Sequence, residues 1–183
     1  MLSHAGRLLL ATPRLIDPNF ARGVILVLDH DSAGALGVVI NRPTHLPLRA
    51  VLPGWGESVA EPQLLFSGGP VAPDSALAVG LSAGGGPDAG FQRIGGDYGL
   101  VDLDTEPEAL LPSLVGVRVF AGYAGWGGGQ LESEIEEGSW YVVGAVPTDL
   151  LHPDPEGLWR TILRRQPGEL AYVANFPDDP GMN

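Results

Sequence analysis

The stretch VRVFAGYAGWGGGQLESEIEEG, residues 117–138, is the part of the chain that decides the fold. It starts as an apolar segment at residues 117–121, breaks at a glycine-rich loop and resumes as helix-like sequence from Gln130. This order predicts a strand, a glycine turn and a helix. The loop has glycine at positions 125, 127, 128 and 129, and an ordered glycine costs roughly 0.5–1 kcal/mol more than alanine. The loop therefore serves either the close approach of a ligand or the close packing of strand on helix.

Length and charge limit the possible classes of protein. A chain of 183 residues is long enough for one sizeable core, and we expect a single domain over residues 1–183. The net charge of −12 opposes nucleic-acid binding, because a binder needs a basic face that displaces counterions from phosphates. No apolar run is long enough for a signal peptide or a membrane span, so we expect a cytoplasmic protein without a membrane partner.

The titratable residues offer little for a metal or a covalent mechanism. The chain has no cysteine, which excludes disulfides, thiolate metal sites and a cysteine nucleophile. The histidines do not show the spacing of metal ligands, so no metal and no cofactor are expected. Ser67 is preceded by Leu65 and Phe66, so the first glycine of a G-x-S-x-G nucleophile elbow is missing, which argues against a serine hydrolase.

Two apolar runs, residues 24–28 and 36–40, flank a short Asp/Ser/Gly loop and predict a β-hairpin. Neither run alternates polar with apolar residues, which is typical of strands buried on both faces. Further strands are predicted at residues 8–11, 63–66, 75–81, 91–94, 99–103 and 140–146, and residues 91–94 are expected to pair with 99–103. Helices are predicted at about 105–114, after a capping box at Thr105, at 130–137, and at 155–165, after Asp154 as cap. The arginines of the last helix, Arg160, Arg164 and Arg165, are expected on a solvated face. Residues 82–87 and 176–183 are expected to be irregular. The fold class is α/β (α+β): a compact mixed β-sheet with helices packed on both faces.

Asn41 and Arg42 are the strongest candidate pair of binding residues. They follow the second hairpin strand, and Pro43 holds Arg42 in an extended conformation. Two polar side chains are thus expected at the C-terminal end of a strand, where open α/β sheets usually bind ligands. Tyr123 and Trp126 would add an aromatic wall if they reach the same crevice. The alternative is that Arg42 pairs with a carboxylate of this acidic chain.

His30 and the glycine loop have competing interpretations. His30 lies between Asp29 and Asp31, and is either a general base oriented by a carboxylate or a histidine that completes a hairpin turn. The glycine loop precedes a helix and offers N–H groups to a phosphate. However, the chain has no lysine and the helix is rich in glutamate, so close packing is the favoured interpretation.

Five segments together resemble one bacterial family, and the resemblance covers nearly the whole chain in order. They are GRLLLATP at 6–13, DPNF at 17–20, HDSAGALGVVINRP at 30–43, GGP at 68–70 and GYAGWGGGQLESEI at 122–135. The chain is similar to the YqgE/AlgH family, and the resemblance implies a compact α/β domain with a mixed sheet in a cytosolic protein without established activity. Some members are labelled transcriptional regulators. Residues 75–80 lack the arginine and histidine that many members have after GGP.

Three functions follow as hypotheses. The first is a non-enzymatic binding or regulatory module for a small molecule or a protein, with its site at the NRP, GGP and GYAGW turns. The second is a hydrolase or transferase for a small anionic substrate that uses His30 and Arg42. The third, direct DNA binding, is disfavoured by the charge. The candidate ligand-binding residues are His30, Asn41, Arg42, Gly68, Gly69, Tyr123, Gly125, Trp126 and Gln130, and no catalytic residue is assigned.

Overall fold

The computed structural model describes residues 1–84, 87 and 89–177. The expectation of irregular structure therefore falls partly outside the described residues, at positions 85 and 86 and from 178 onward. The strands are β1 (Leu8–Ala11), β2 (Val24–Asp31), β3 (Gly34–Val39), β4 (Pro43–Pro47), β5 (Leu64–Ser67), β6 (Val71–Ser82), β7 (Phe91–Arg93), β8 (Tyr98–Val101), β9 (Leu114–Gly127) and β10 (Trp140–Val143). The α-helices are α1 (Leu48–Val51), α2 (Pro107–Leu110), α3 (Gln130–Glu136) and α4 (Leu158–Arg164), and 3₁₀ turns cover Leu111–Ser113, Pro155–Gly157 and Gly168–Asn175.

The strands form a curled, mostly antiparallel sheet in the order β10-β1-β2-β3-β9-β6-β8-β7. Strand β5 pairs in parallel with β9 and antiparallel with β4, so the sheet is mixed, as the sequence predicts. The predicted hairpin of β2 and β3 is confirmed, and so is the pairing of β7 with β8. The long strand β9 contacts β3, β5 and β6 and connects the two halves of the sheet.

Both faces of the sheet are buried at strands β1 and β2. On β1 and β2, Leu8 and Leu26 belong to one core with helix α4, whereas Leu9 and Ile25 belong to a second core with helix α3. Alternate residues of a strand point to opposite faces, so strands covered on both sides are apolar throughout. This explains why residues 24–28 do not alternate, and it confirms a sheet with helices on both faces.

The glycine-rich segment of β9 differs from the prediction. The sequence predicts that the strand ends at residue 121, but β9 continues to Gly127. Residues 124–127 pair with residues 34–37 of β3, and burial alternates along this part of the strand. The glycines were misleading because the hydrogen bonds that pair residues 124–127 with β3 are made by the backbone and need no side chain.

The predicted helix starts also need correction. The capping box at Thr105 does not form: Glu106 is the N-cap of α2, and no side chain caps this helix. Residue Asp154 likewise precedes a 3₁₀ turn and makes no side-chain cap. The strand predicted at 140–146 ends at Val143. Local sequence patterns located these elements, while tertiary packing set their limits.

Candidate functional site

Asn41 and Arg42 turn toward the segment that precedes β2. The backbone N–H of Val24 donates to Asn41 Oδ1 at 2.9 Å, and Asn41 Nδ2 donates to the Arg22 carbonyl at 2.9 Å. The Arg42 guanidinium donates to the carbonyls of Pro18 and Ala21. Arg42 thus binds carbonyl groups, not the carboxylate expected from the sequence. Burial lowers the pKa of Arg42, and nearby Asp17 partly offsets the effect.

A cleft of about 250 Å³ lies beside this strand end, and we call it the arginine cleft. Its walls are Ala21, Arg22, Asn41, Arg42, Glu156, Trp159 and Arg160. The guanidinium of Arg22 stacks on the Trp159 ring, 4.6 Å from its centroid. The Trp159 indole N–H donates to the Ala11 carbonyl at 3.0 Å, which fixes the ring. The cleft therefore combines three arginines with one rigid aromatic ring.

Two of these arginines hold the main chain at the end of the last 3₁₀ turn and directly after it. Arg22 Nη2 donates to the carbonyls of Phe176, at 2.9 Å, and Pro177. Arg160 donates to the carbonyls of Ala174 at 3.2 Å and Phe176 at 3.3 Å. Every one of these contacts is to backbone oxygen. Arg22 and Arg160 thus direct N–H donors from the cleft to the main chain of residues 174–177.

Two further cavities continue the cleft along the surface. The first has a volume of about 240 Å³ and shares Ala21, Arg22 and Trp159 with the arginine cleft. The second has a volume of about 520 Å³ and shares Phe176 with the first. Beyond the shared residues, the walls include Leu15, Ile16 and Tyr141, and Ile16 is 77% exposed. We call these two cavities together the apolar groove.

The GGP turn packs directly against β9. The N–H of Gly68 donates to the Ala121 carbonyl at 2.9 Å. A Cβ atom on Gly68 would lie 2.3 Å from the Gly122 carbonyl oxygen, and one on Gly69 would lie 2.3 Å from the Tyr123 carbonyl oxygen. Gly122 has φ +76°, and its own Cβ would lie 2.4 Å from the Gly69 oxygen. Backbone packing thus requires glycine at 68, 69 and 122, whereas the sequence favoured close packing for the loop glycines at 125–129, of which only Gly128 would bring a Cβ within 3 Å of another atom.

The NRP, GGP and GYAGW motifs meet through their main chains but not through all of their side chains. Ser67, which precedes GGP, donates its N–H to the Arg42 carbonyl at 2.9 Å. Trp126, however, pairs with Ala35, six positions before Asn41 in the sequence. At about 3.3 Å per strand residue the separation is roughly 20 Å. The expected convergence of Trp126 with the Asn41–Arg42 end is not found, because the antiparallel register places Trp126 at the other end of β3.

The other residues of the GYAGW segment also have local contacts. Trp126 packs edge-to-face on Trp140 with ring centroids 6.1 Å apart. Gln130 Oε1 accepts the Gly127 N–H at 3.0 Å, so this loop N–H is not available to a phosphate. Tyr123 packs against the core that contains helix α4, and Gly125 is exposed on β9. Neither Trp126 nor Gln130 forms a wall of the arginine cleft.

His30 is buried and uses both ring nitrogens. Its Nε2 lies 2.5 Å from Glu132 Oε1, and its Nδ1 accepts the backbone N–H of His4 at 3.0 Å. The carboxylate partner thus comes from helix α3, not from Asp29 or Asp31. An Nδ1 that accepts an N–H places the ring proton on Nε2, so no ring nitrogen is available to a substrate.

The position of His30 also separates it from Arg42. His30 pairs with Ala35 near the β2–β3 turn, whereas Asn41 bonds to Val24 at the opposite end of β2. The two sites are about six strand residues apart, or roughly 20 Å. The hydrolase or transferase hypothesis needs His30, Asn41 and Arg42 in one pocket, and the structure does not bring them together.

Sequence reasoning missed three important arginines. Arg118 lies within the stretch interpreted as an apolar strand, yet it is 1% exposed, 4.3 Å above the Phe66 ring, and donates to the carbonyls of Leu150, Glu61, His152 and Pro62. Burial lowers its pKa to about 10. Arg22 was not singled out, and Arg160 was interpreted as part of a solvated helix face. The only sequence signal for any of these roles was the presence of Arg118 within an apolar strand.

Among the described residues, no cluster of three or more His, Cys, Asp or Glu side chains is placed to hold a metal ion. Over the same part of the chain, every helix is too short or too polar to cross a membrane.

Comparison with known proteins gives consistent matches over the whole chain. A sequence model of a family described as AlgH-like matches residues 8–171. A UPF0301 protein of Streptomyces avermitilis is 55% identical over 99% of this chain and 96% of its own length. A UPF0301 protein of Streptomyces coelicolor is 54% identical over the same shares.

Two solved structures have the same fold. The crystal structure of a Corynebacterium diphtheriae protein matches with a TM-score of 0.90 and 34% identity, covering 96% of this chain and 94% of that one. The solution structure of the AlgH protein of Pseudomonas aeruginosa matches with a TM-score of 0.70 and 26% identity, covering 98% of each chain.

Proposed function

Since this chain belongs to the AlgH-like family, a bacterial family without a characterised activity, we propose that it is a binding module that catalyses no reaction. Its binding site is the arginine cleft at the NRP strand end. The ligand presents anionic or carbonyl oxygens to Arg22, Arg42 and Arg160. The GGP and GYAGW motifs contribute by fixing the sheet beneath the site.

The convergence of three arginines in one cleft carries this proposal. The chain has ten basic residues and a net charge of −12, so most of its surface repels an anion. In contrast, three of these ten line one cleft of about 250 Å³. Each guanidinium has five N–H donors in a planar fork that suits carboxylate and phosphate oxygens. The cleft is thus a local positive site on an acidic protein.

The walls of the cleft are held in place before a ligand arrives. Asn41 bonds to the backbone on both sides of Gly23, and Arg42 bonds to two carbonyls of the same segment. Trp159 is fixed by its bond to Ala11. A preorganised site loses less conformational entropy on binding, which favours affinity.

The other two hypotheses gain less support. A catalytic mechanism through His30 lacks a free ring nitrogen and lies far from the cleft. Direct DNA binding needs an extended basic surface, because affinity depends on several simultaneous phosphate contacts. A single cleft with three arginines in a chain of charge −12 does not supply one.

Thermal-shift measurements at low salt test the proposal with inorganic phosphate, citrate and glutamate as probes. A probe present at about 100 times its Kd stabilises the folded chain by about 2.7 kcal/mol. We expect at least one probe to raise the melting temperature of the wild type. Arg160→Gln should remove most of that increase, since it deletes one cleft guanidinium.

Arg164→Gln is the matched control, because Arg164 lies one helical turn further along α4, is exposed, and is not part of the cleft. The change in melting temperature on adding ligand is compared within each variant, so differences in intrinsic stability cancel. The proposal fails if no probe stabilises the wild type, or if both variants respond equally.

A further inference from the structure

We propose that the partner of the arginine cleft is an extended acidic peptide segment of another protein, and that Phe176–Pro177 occupies its place in the free chain. This inference rests on the proposed function and specifies the ligand class. The arginine cleft and the apolar groove form one continuous surface, and Phe176 lies on it.

The hydrogen bonds between the arginines and residues 174–177 go to backbone carbonyls, so they do not depend on the side chains of these residues. Arg22 binds the carbonyls of Phe176 and Pro177, and Arg160 binds those of Ala174 and Phe176. Backbone carbonyls are present in every peptide. A foreign extended segment in the same position would therefore receive the same N–H donors.

The apolar groove provides a place for an aromatic side chain. Phe176 contacts both cavities of the groove, which measure about 240 and 520 Å³. Its side chain is nevertheless 48% exposed, so it fills the groove only in part. A resident segment that is half-exposed is easily displaced, and a partner residue that reaches deeper would gain apolar contacts.

Charge complementarity favours an acidic partner. The two arginines that hold the segment are cationic, and in the sequence Asp178 and Asp179 follow Pro177 directly. The rest of the chain is acidic, so an acidic peptide gains attraction only where arginines cluster. A basic peptide would be repelled by these arginines and an acidic one attracted, so charge favours an acidic occupant.

The test uses a chain that ends at Asn175 and a fluorescein-labelled peptide of residues 172–183, YVANFPDDPGMN, in fluorescence anisotropy titrations at low salt. We expect the peptide to bind the shortened chain at least ten-fold more tightly than the full chain. In the full chain the tethered segment competes at high effective concentration. A peptide with Asp178→Asn and Asp179→Asn should bind several-fold more weakly.

Two variants of the shortened chain locate the site. Arg160→Gln should weaken peptide binding about ten-fold, because Arg160 donates to the segment. Arg164→Gln should leave it unchanged, because Arg164 does not line the cleft. Circular dichroism checks that the shortened chain folds. If it does not fold, Phe176→Ala in the full chain replaces it, and this variant should bind the labelled peptide more tightly than wild type.

Several outcomes would overturn the inference. Equal affinity of the peptide for the shortened and full chains contradicts occupation by the chain's own segment, and equal affinity of the aspartate and asparagine peptides contradicts an acidic partner. A concentration-dependent dimer that disappears on shortening would identify a second copy as the partner. If phosphate or citrate stabilises the full chain through Arg160 but the peptide does not bind, only this inference fails. If neither binds, the proposed function fails with it.

Discussion

Replacing Gly122 by alanine tests whether the GYAGW glycines serve packing, and Gly125→Ala in the same strand is its control. Gly122 has φ +76°, and a Cβ atom there would lie 2.4 Å from the Gly69 oxygen and 2.9 Å from the Val71 oxygen. Both are main-chain atoms, so no side-chain rotation relieves the contact. At Gly125 the nearest atoms to a Cβ are the Tyr123 ring at 3.8 Å and Val71 Cγ2 at 4.0 Å, which is ordinary contact.

The expected effects differ in size and in sign. A left-handed backbone costs alanine about 1–2 kcal/mol, and forcing an extra methyl group into a packed interior costs about 1–3 kcal/mol. Gly122→Ala should therefore lower the free energy of unfolding by about 2–5 kcal/mol, a large part of the 5–15 kcal/mol typical of a domain. Gly125→Ala should change it by less than about 1 kcal/mol, and toward greater stability, because alanine restricts the unfolded chain.

Urea denaturation followed by far-UV circular dichroism measures both variants. With an m-value of about 1–3 kcal/mol/M, the loss for Gly122→Ala shifts the midpoint by about 1 M or more. The packing explanation is refuted if Gly122→Ala unfolds within about 1 kcal/mol of the wild type. It is also refuted if Gly125→Ala is equally destabilising. Gly125→Ala should in addition leave ligand binding at the arginine cleft intact.

Three further predictions concern buried polar groups. Arg118→Met should lower the free energy of unfolding in urea by about 2–4 kcal/mol, because the buried Leu150 carbonyl loses its donor; a loss below about 1 kcal/mol would contradict the role of the guanidinium. Asn41→Asp replaces the amide group that donates to the Arg22 carbonyl with a carboxylate oxygen, which accepts. The free energy of unfolding should fall by about 1–3 kcal/mol in the same assay, and an unchanged urea midpoint would show that this hydrogen bond adds nothing. Burial raises the pKa of Glu134, so the folded state disfavours its charge above that pKa. Glu134→Gln should therefore be more stable than wild type at pH 7, with the gain shrinking as the pH falls through the raised pKa toward 4.5, and a gain independent of pH would contradict this.

The sequence was most informative about features that depend only on the residues of one short segment. The apolar runs at residues 24–28 and 36–40 predicted strands buried on both faces, because an apolar side chain on either face of a strand is stable only away from water. The short Asp/Ser/Gly loop after β2 predicted the hairpin for the same local reason. The lack of cysteine excluded disulfides and thiolate sites, and the −12 charge disfavoured nucleic-acid binding, without any knowledge of the fold.

The candidate site was predicted only in part. Asn41 and Arg42 do line a cleft. However, Trp159 and Arg160 come from a helix more than 100 residues later, and no local sequence pattern indicates that this helix meets the strand end. Trp126 was expected near Asn41 because both follow strands. Which ends of two strands meet depends on direction and register, and a strand sequence contains neither.

The sequence by itself determined the class of fold, the hairpin and the glycine positions. These features depend on hydrophobicity and backbone freedom, which are properties of the individual residues. Only the tertiary structure decided what the glycines of residues 117–138 are for and which arginines converge. Both features are contacts between distant parts of the chain. Gly122 packs against Gly69, and Arg22 and Arg160 donate hydrogen bonds to the same segment. The energy of such contacts depends on the distance between the residues in space, and this distance cannot be read from their separation in the sequence.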